Sequence, residues 1–487
     1  MRRSKIIGKV AEKVLDKNDA VALKSSLWYM ISKFLNKGIS FIIIPIIARI
    51  LTKSEMGIYN NFAAWLSLLT VICTLSLHAS IVSARYDYKN NLYDYIKSVI
   101  LLGTIVTILF GVAFLGFKTK ICEITSLDER FLWVIFIVLL ITPAYSIYLQ
   151  IATFEYRYKI VATLSTGISA GAVLLSFIFI FFWQNNLNAR IIGSQLPLIL
   201  VGIVLYGYFL KKGTVVKKEY MKYALCVSVP YMIHLLSGNI LSSVDRTMIT
   251  AMCSSEATAL YSMAYNIAML VGVLWDAMNS AFVPWLGEQL EQQSYTKIKS
   301  FSRQYVLIFA VGITVIMLLG PEVLYIMGGA AYIEAKVVIP PVMLGYFFMF
   351  IYSMYANIEQ LKKETRAMAA GTIVAAIINL ALNYIFIPKY GYVAAAYTTL
   401  AGYVFLFLFH YFIVKRMDYA HVYDTSIIFG SSVLMFVVLF VVELAYENIF
   451  MRIACMVVLC MLLFIFYKKN AQSVCEILKC FKAKKRK

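Results

Sequence analysis

The hydropathy pattern of this chain repeats one unit from end to end: an apolar stretch of span length, then a short polar connection. A helix that crosses a bilayer needs about 20 mostly apolar residues. By that measure the sequence predicts spans near 25–48, 58–83, 97–117, 131–151, 160–183, 190–210, 223–251, 258–286, 304–327, 337–358, 366–387, 391–414, 426–445 and 449–467. That is an all-α polytopic membrane protein of about 14 transmembrane helices. The connections leave no room for a large domain outside the bilayer. The 24 residues ahead of the first span, MRRSKIIGKVAEKVLDKNDAVALK, have no uninterrupted apolar core of the signal-peptide kind. Ile6, Ile7, Val10, Val14 and Leu15 recur there at helical spacing among basic residues, the pattern of a helix lying on a membrane surface.

Composition fits the pattern, with 61% hydrophobic and only 14% charged residues against about 25% charged in soluble domains. The charge is distributed unevenly. The termini and every second connection (84–97, 152–159, 211–222, 287–303, 359–366 and 415–425) hold 33 of the 45 lysines and arginines; nine lie on the opposite side and three within spans. The positive-inside bias then places both basic termini in the cytoplasm, which requires an even number of spans. The net charge of +20 reflects this bias and attraction to anionic lipid headgroups rather than nucleic acid. The tail 468–487, where Val474, Ile477, Leu478 and Phe481 alternate with lysines, has the same interfacial character.

An internal repeat organises the spans. RILTKSEMGIYNNFAAWLSLL (49–69) is similar to RTMITAMCSSEATALYSMAYNIAML (246–270): each runs from an arginine through a Ser-Glu loop to a tyrosine that opens the next span. The segment 163–199 likewise matches 367–403, pairing Gly167 with Gly371, Phe182 with Phe386 and Ser194 with Thr398. Both matches are parallel, so two six-helix lobes are related by an axis along the membrane normal and enclose a central cavity. The resulting units are a cytoplasmic amphipathic segment (1–24), an N-lobe (25–210), a basic linker (211–222), a C-lobe (223–414), two peripheral spans (415–467) and a basic tail (468–487).

No GxxxxGK[ST] phosphate loop, HExxH or zinc-spaced His/Cys cluster occurs, and the eight cysteines form no CxxC. The reading is therefore of a transporter with no cofactor, metal or catalytic residue. Its chemistry resides in ionisable groups inside the membrane, which are costly there and mark pathways by default. Lys33 and Lys37 lie in the first span with Asn36 between them; Ser26, Lys33, Lys37 and Ser40 share one helical face. Two readings stay open: lysines snorkelling to the headgroups, or a polar stripe facing a water-filled cavity. Arg246 adds a cation in the seventh span, and Arg85 and Arg49 lie near span ends. Asp245 and Asp276 are counter-ion or coupling-ion candidates, for proton or sodium, and Tyr261, Tyr265 and Asn266 are candidates for sugar contacts. A cationic lumen points to an anionic, phosphorylated substrate, which guanidinium groups grip bidentately.

NLALNYIFIPKYGYVAAAYTTLAGYV (379–404), with its P-x-x-G turn leading into an Ala-rich helix, resembles the signature of polysaccharide-biosynthesis flippases. ARILTKSEMGIYNNFAAW (48–65) and VDRTMITAMCSSEATALYSMAYNIA (244–268) resemble the span connections that open the family's two halves. Ala394 stands where many relatives have glycine. The resemblance, which covers essentially the whole chain, implies the multidrug/oligosaccharidyl-lipid/polysaccharide exporter superfamily and its V-shaped, alternating-access lobes. It implies transfer of an undecaprenyl-pyrophosphate-linked oligosaccharide across the bacterial inner membrane for O-antigen, capsule or exopolysaccharide assembly, alongside a polymerase and chain-length partners. A lipid-linked peptidoglycan-precursor flippase and a cation-coupled drug antiporter share the layout and stand as alternatives, ahead of an enzyme acting on polyprenyl phosphates.

Overall fold

The computed structural model describes residues 17–461. The amphipathic segment over 1–16, the end of the last expected span and the tail 468–487 lie outside the described residues. Among those described, thirteen helices are long and apolar enough to cross a membrane, and a shorter apolar helix, Ile449–Met461, follows them. They are α1 (Lys17–Ile50), α2 (Lys53–Cys73), α3 (Leu92–Gly116), α4 (Glu129–Phe154), α5 (Tyr158–Phe182), α6 (Asn186–Lys212), α7 (Lys218–Met252), α8 (Ser255–Glu291), α9 (Tyr295–Leu318), α10 (Ile339–Leu361), α11 (Thr365–Tyr390), α12 (Tyr392–Arg416) and α13 (Thr425–Ala445). Helices suit lipid because each closes its backbone hydrogen bonds internally. Apolar side chains such as Phe181, Val204 and Leu444 are accordingly exposed on the outer surface.

Local chemistry sets the helix ends. Thr52 and Glu55 form a reciprocal capping box at the start of α2, and the Ser254 hydroxyl accepts from the Ala257 N–H at the start of α8, 3.1 Å away. These two caps belong to the repeated Ser-Glu loops. Two expected spans are shorter than their apolar runs. The run over 58–83 breaks where Leu75 and Ser76 both take φ of 49°, and a short helix, Ile81–Asp87, resumes beyond. The run over 304–327 divides at Gly320-Pro321, because a proline cannot donate the hydrogen bond that would continue α9; it begins the separate helix Gly320–Gly328. At the P-x-x-G turn, Gly391 ends α11 with φ 69° and ψ −160°, a region essentially confined to glycine.

Helices α1–α6 and α7–α12 form the two lobes, with α5 packed on α6 and α11 on α12 in corresponding places. Helix α13 lies against α9 and α10. The C-lobe has one continuous core that also takes in Ile43 and Ile47 of α1 and Leu51 just beyond it. The N-lobe core is split in two, one part around Tyr95, Ile147 and Phe209, which also takes in Tyr220 and Ala224 from the start of α7, and the other around Phe62, Phe114, Phe131 and Ile191. The linker is docked, not free: Asp94 accepts the backbone N–H groups of Thr214 and Val215 (2.5 and 3.0 Å), and Lys97 donates to the Gly213 carbonyl at 3.0 Å.

Candidate functional site: the cleft between the lobes

At the end of the molecule away from the basic connections, α1 and α2 meet α8 and the segment after α9. There the Arg49 guanidinium donates to the Ile326 carbonyl at 3.0 Å, and Lys53 pairs with Glu334 at 2.9 Å. Ser54 and Ser255, equivalent serines of the two repeated loops, hydrogen-bond to each other at 2.9 Å, so the pseudo-twofold axis passes close by. Gly57 lets the backbones touch, since a β-carbon there would stand 1.7 Å from the Ser255 carbonyl oxygen. Deeper in, Ser67 donates to Asn239 at 2.9 Å. Among the described residues, the polar contacts joining α1 and α2 to α8 and the segment after α9 all cluster at this far end. The cleft is closed there.

Toward the basic end, α1 carries Lys33 and Lys37. Tyr29 donates to the Thr153 carbonyl (3.2 Å) and Ser32 contacts Ser165 (3.0 Å), which fixes one face of α1 on the N-lobe. Ile31, Phe34, Leu35, Ile42 and Ile46 are exposed on one side of that face, and Lys33 and Lys37, also exposed, lie on the other. Both lysines act electrostatically on Asp276 of α8, Lys37 the more strongly. No ion pair involves either lysine, or Arg246, among the described residues. The Asn36 side-chain oxygen, between the lysines, is buried without a hydrogen-bond partner.

Asp245 occupies a different environment. Its side chain, 0% exposed, accepts hydrogen bonds from Tyr261 (2.5 Å), Asn383 (2.7 Å) and Thr399 (2.7 Å). Asn379 joins the cluster by donating to Thr399 at 3.2 Å, and Thr398 donates to Asn383. A buried carboxylate needs such donors to offset its lost hydration. Next to it in sequence, Arg246 turns elsewhere: it donates to the Ser242 carbonyl (2.8 Å) and lies 4.7 Å over the Tyr265 ring. The structure therefore separates the two aspartates, Asp276 exposed with the lysines and Asp245 sealed inside the C-lobe.

Other residues singled out in the sequence are dispersed. Arg85 sits over Tyr86 and Phe154 at the basic end of the N-lobe (5.1 and 4.9 Å). Arg49 belongs to the far-end closure. Tyr261 and Tyr265 are buried, the first committed to Asp245, while Asn266 is half-buried. Sequence reasoning missed Asn379, Asn383, Thr398 and Thr399, although two amides one turn apart within an apolar run, NLALN, were a readable signal. It also missed the buried Glu359–His410 pair and Arg190, a buried arginine that stacks on Tyr59 and donates to Ser176 (4.7 and 3.0 Å).

A family model described as "Polysaccharide biosynthesis protein" matches residues 22–289, and the MatE model matches 230–385. Capsular polysaccharide biosynthesis protein CapF of Staphylococcus aureus is 21% identical over 409 residues, 80% of this chain and 98% of that protein. The probable low-salt glycan biosynthesis flippase Agl15 of Haloferax volcanii is 22% identical over 395 residues, 77% of this chain and 80% of that protein. An inward-facing MATE family transporter of the MOP superfamily has the same fold, with a TM-score of 0.56 and 14% identity over 80% of this chain and 95% of the other. Two lobes of six spans, a cleft between them and a family match over more than half of the sequence lead to one conclusion: this chain belongs to the polysaccharide biosynthesis protein family, a group of membrane flippases and transporters and not of enzymes.

Proposed function

We propose that this protein flips an undecaprenyl-pyrophosphate-linked oligosaccharide across the bacterial inner membrane for assembly of a surface polysaccharide. The basic end is the cytoplasmic face, both termini lie in the cytoplasm, and the lobes are closed toward the periplasm. The observation that carries this reading is the set of cations without ion pairs among the described residues, Lys33 and Lys37 on α1 and Arg246 on α7, with both lysines acting on Asp276. Cations left without a tight partner next to a cleft are available to a pyrophosphate, which Lys meets as a point charge and Arg as a planar fork. The similarity to Agl15, a probable low-salt glycan biosynthesis flippase, supports the substrate class. Arg85 at the cytoplasmic mouth attracts the anionic head group, and Asn36 and Asn266 supply hydrogen bonds to sugar.

Asp245 is the coupling-ion site in this reading. One carboxylate surrounded by neutral oxygen-bearing groups balances a single positive charge, which suits a proton or sodium ion better than a divalent cation with its several carboxylates. Binding there draws α7, α8, α11 and α12 together, because the ligands come from all four helices. The polymerase and chain-length proteins of the pathway act on the product after it reaches the far leaflet.

The test is translocation of a polyprenyl-pyrophosphate oligosaccharide in reconstituted vesicles under a proton or sodium gradient, comparing wild type, Lys37→Ala and Lys37→Arg. Wild type moves the glycan, the Ala variant loses most of the rate and the Arg variant keeps part of it. Wild-type rates in Lys37→Ala refute the cationic pathway; a folded wild type that moves no glycan lipid refutes the substrate class.

A further inference from the structure

The C-lobe holds a second buried ionisable site, apart from Asp245. Glu359 of α10 and His410 of α12 face each other with His410 Nδ1 2.8 Å from Glu359 Oε1, their side chains 0% and 2% exposed. The other carboxyl oxygen, Oε2, is buried and has no hydrogen-bond partner. Among the described residues, His410 is the only ion-pair partner of Glu359. We propose that this pair is a proton-binding site, set just inside the cytoplasmic face and linked to the cleft through Tyr352.

The charge states make the argument. Glu359 carboxylate beside neutral His410 is a net negative charge with no exposure to water and no cation to balance it, a state that burial disfavours. One proton taken from water onto the imidazole makes the pair neutral overall, a carboxylate beside an imidazolium.

The surroundings define the routes. Glu359 lies two residues from the end of α10, where the Glu364 N–H donates to the Glu359 carbonyl (2.8 Å) and Lys363 takes a φ of 66°. In this tight turn Lys362 is held over Tyr419 at 4.4 Å. On the other side the Tyr352 ring stacks on His410 (5.5 Å) and on Tyr403 (6.2 Å), and Asp276 in the cleft acts electrostatically on Tyr352. Helix α11 approaches through Gly371, where a β-carbon would stand 3.4 Å from His410 Nε2. Tyr355 and Tyr411 complete the neighbouring titratable groups. Lys362, Lys363 and Glu364 after α10, and Lys415 and Arg416 at the end of α12, are the charged residues nearest in the chain. The proposal rests on the transporter reading for its purpose, but the site itself is testable without a substrate.

The experiment follows the ring nitrogens of His410 by NMR in the purified, 15N-histidine-labelled full chain, from about pH 5 to 9, the range in which histidines exchange protons. His410→Gln assigns the signal among the four histidines. The expected result is a His410 titration whose midpoint moves in Glu359→Gln, together with loss of the pH dependence of glycan transport in that variant. A His410 that keeps one protonation state across the range makes the pair a structural pin and overturns the proposal. A midpoint unmoved in folded Glu359→Gln overturns it equally. If no glycan moves in wild type while the titration and its shift appear, the proton site stands and the substrate reading falls.

Discussion

Gly57 offers the sharpest test of how the lobes close. A methyl group there would lie 1.7 Å from the Ser255 carbonyl oxygen, whereas a carbon rests comfortably no closer than about 3.3 Å from such an oxygen. Gly57→Ala therefore forces α2 and the start of α8 apart by about 1.6 Å, the difference between those distances. The clashing atom belongs to the backbone, so no change of rotamer relieves it. Overpacking of this kind costs about 1–3 kcal/mol. The neighbouring Ser54–Ser255 hydrogen bond, at about 0.5–1.5 kcal/mol, is stretched with it; the partly exposed Lys53–Glu334 pair adds little. A penalty of about 2 kcal/mol on the closed state shifts its population roughly thirtyfold. The assay is the distance between spin labels on exposed far-end positions of the two lobes, Lys120→Cys and Lys389→Cys, in a background without native cysteines. Wild type gives a short distance; Gly57→Ala moves the distribution to longer values and Gly57→Val moves it further. Ser255→Ala, which removes only a hydroxyl, shifts it much less. If both glycine variants match wild type, the Gly57 contact does not control closure and the steric argument is wrong.

Further outcomes concern the buried groups and turns. Wild type should gain thermal stability as the coupling ion is added, because a ligand that binds only the folded state stabilises it by mass action; Asp245→Asn should lose that response, and an unchanged response removes Asp245 from the ion site. Gly391→Ala places a side chain at φ 69° and ψ −160° and should destabilise the C-lobe by about 1–3 kcal/mol, read as a lower melting temperature in detergent. An unaltered melt would mean that the P-x-x-G turn relaxes without cost.

The origin of each feature shows in particular residues. The thirteen long helices among those described match thirteen of the expected spans because span length and hydropathy are properties of a contiguous stretch of chain. The two overshoots came from turns inside apolar sequence: neither Leu75-Ser76 nor Gly320-Pro321 interrupts the hydropathy, yet each interrupts the helix. The repeated Ser-Glu loops were legible as a pattern, and only the fold showed that their serines touch.

The sequence alone thus determined the membrane class, the lobes, the basic face and the presence of unpaired-looking charges within spans, since all of these follow from local composition and its period. The tertiary structure decided which charges meet. Asn383 and Thr399 lie 138 and 154 residues from Asp245, and Glu359 lies 51 residues from His410. Their proximity depends on which helix faces which in the bundle, and in lipid that choice is made by packing and hydrogen bonding between helices, not by hydropathy.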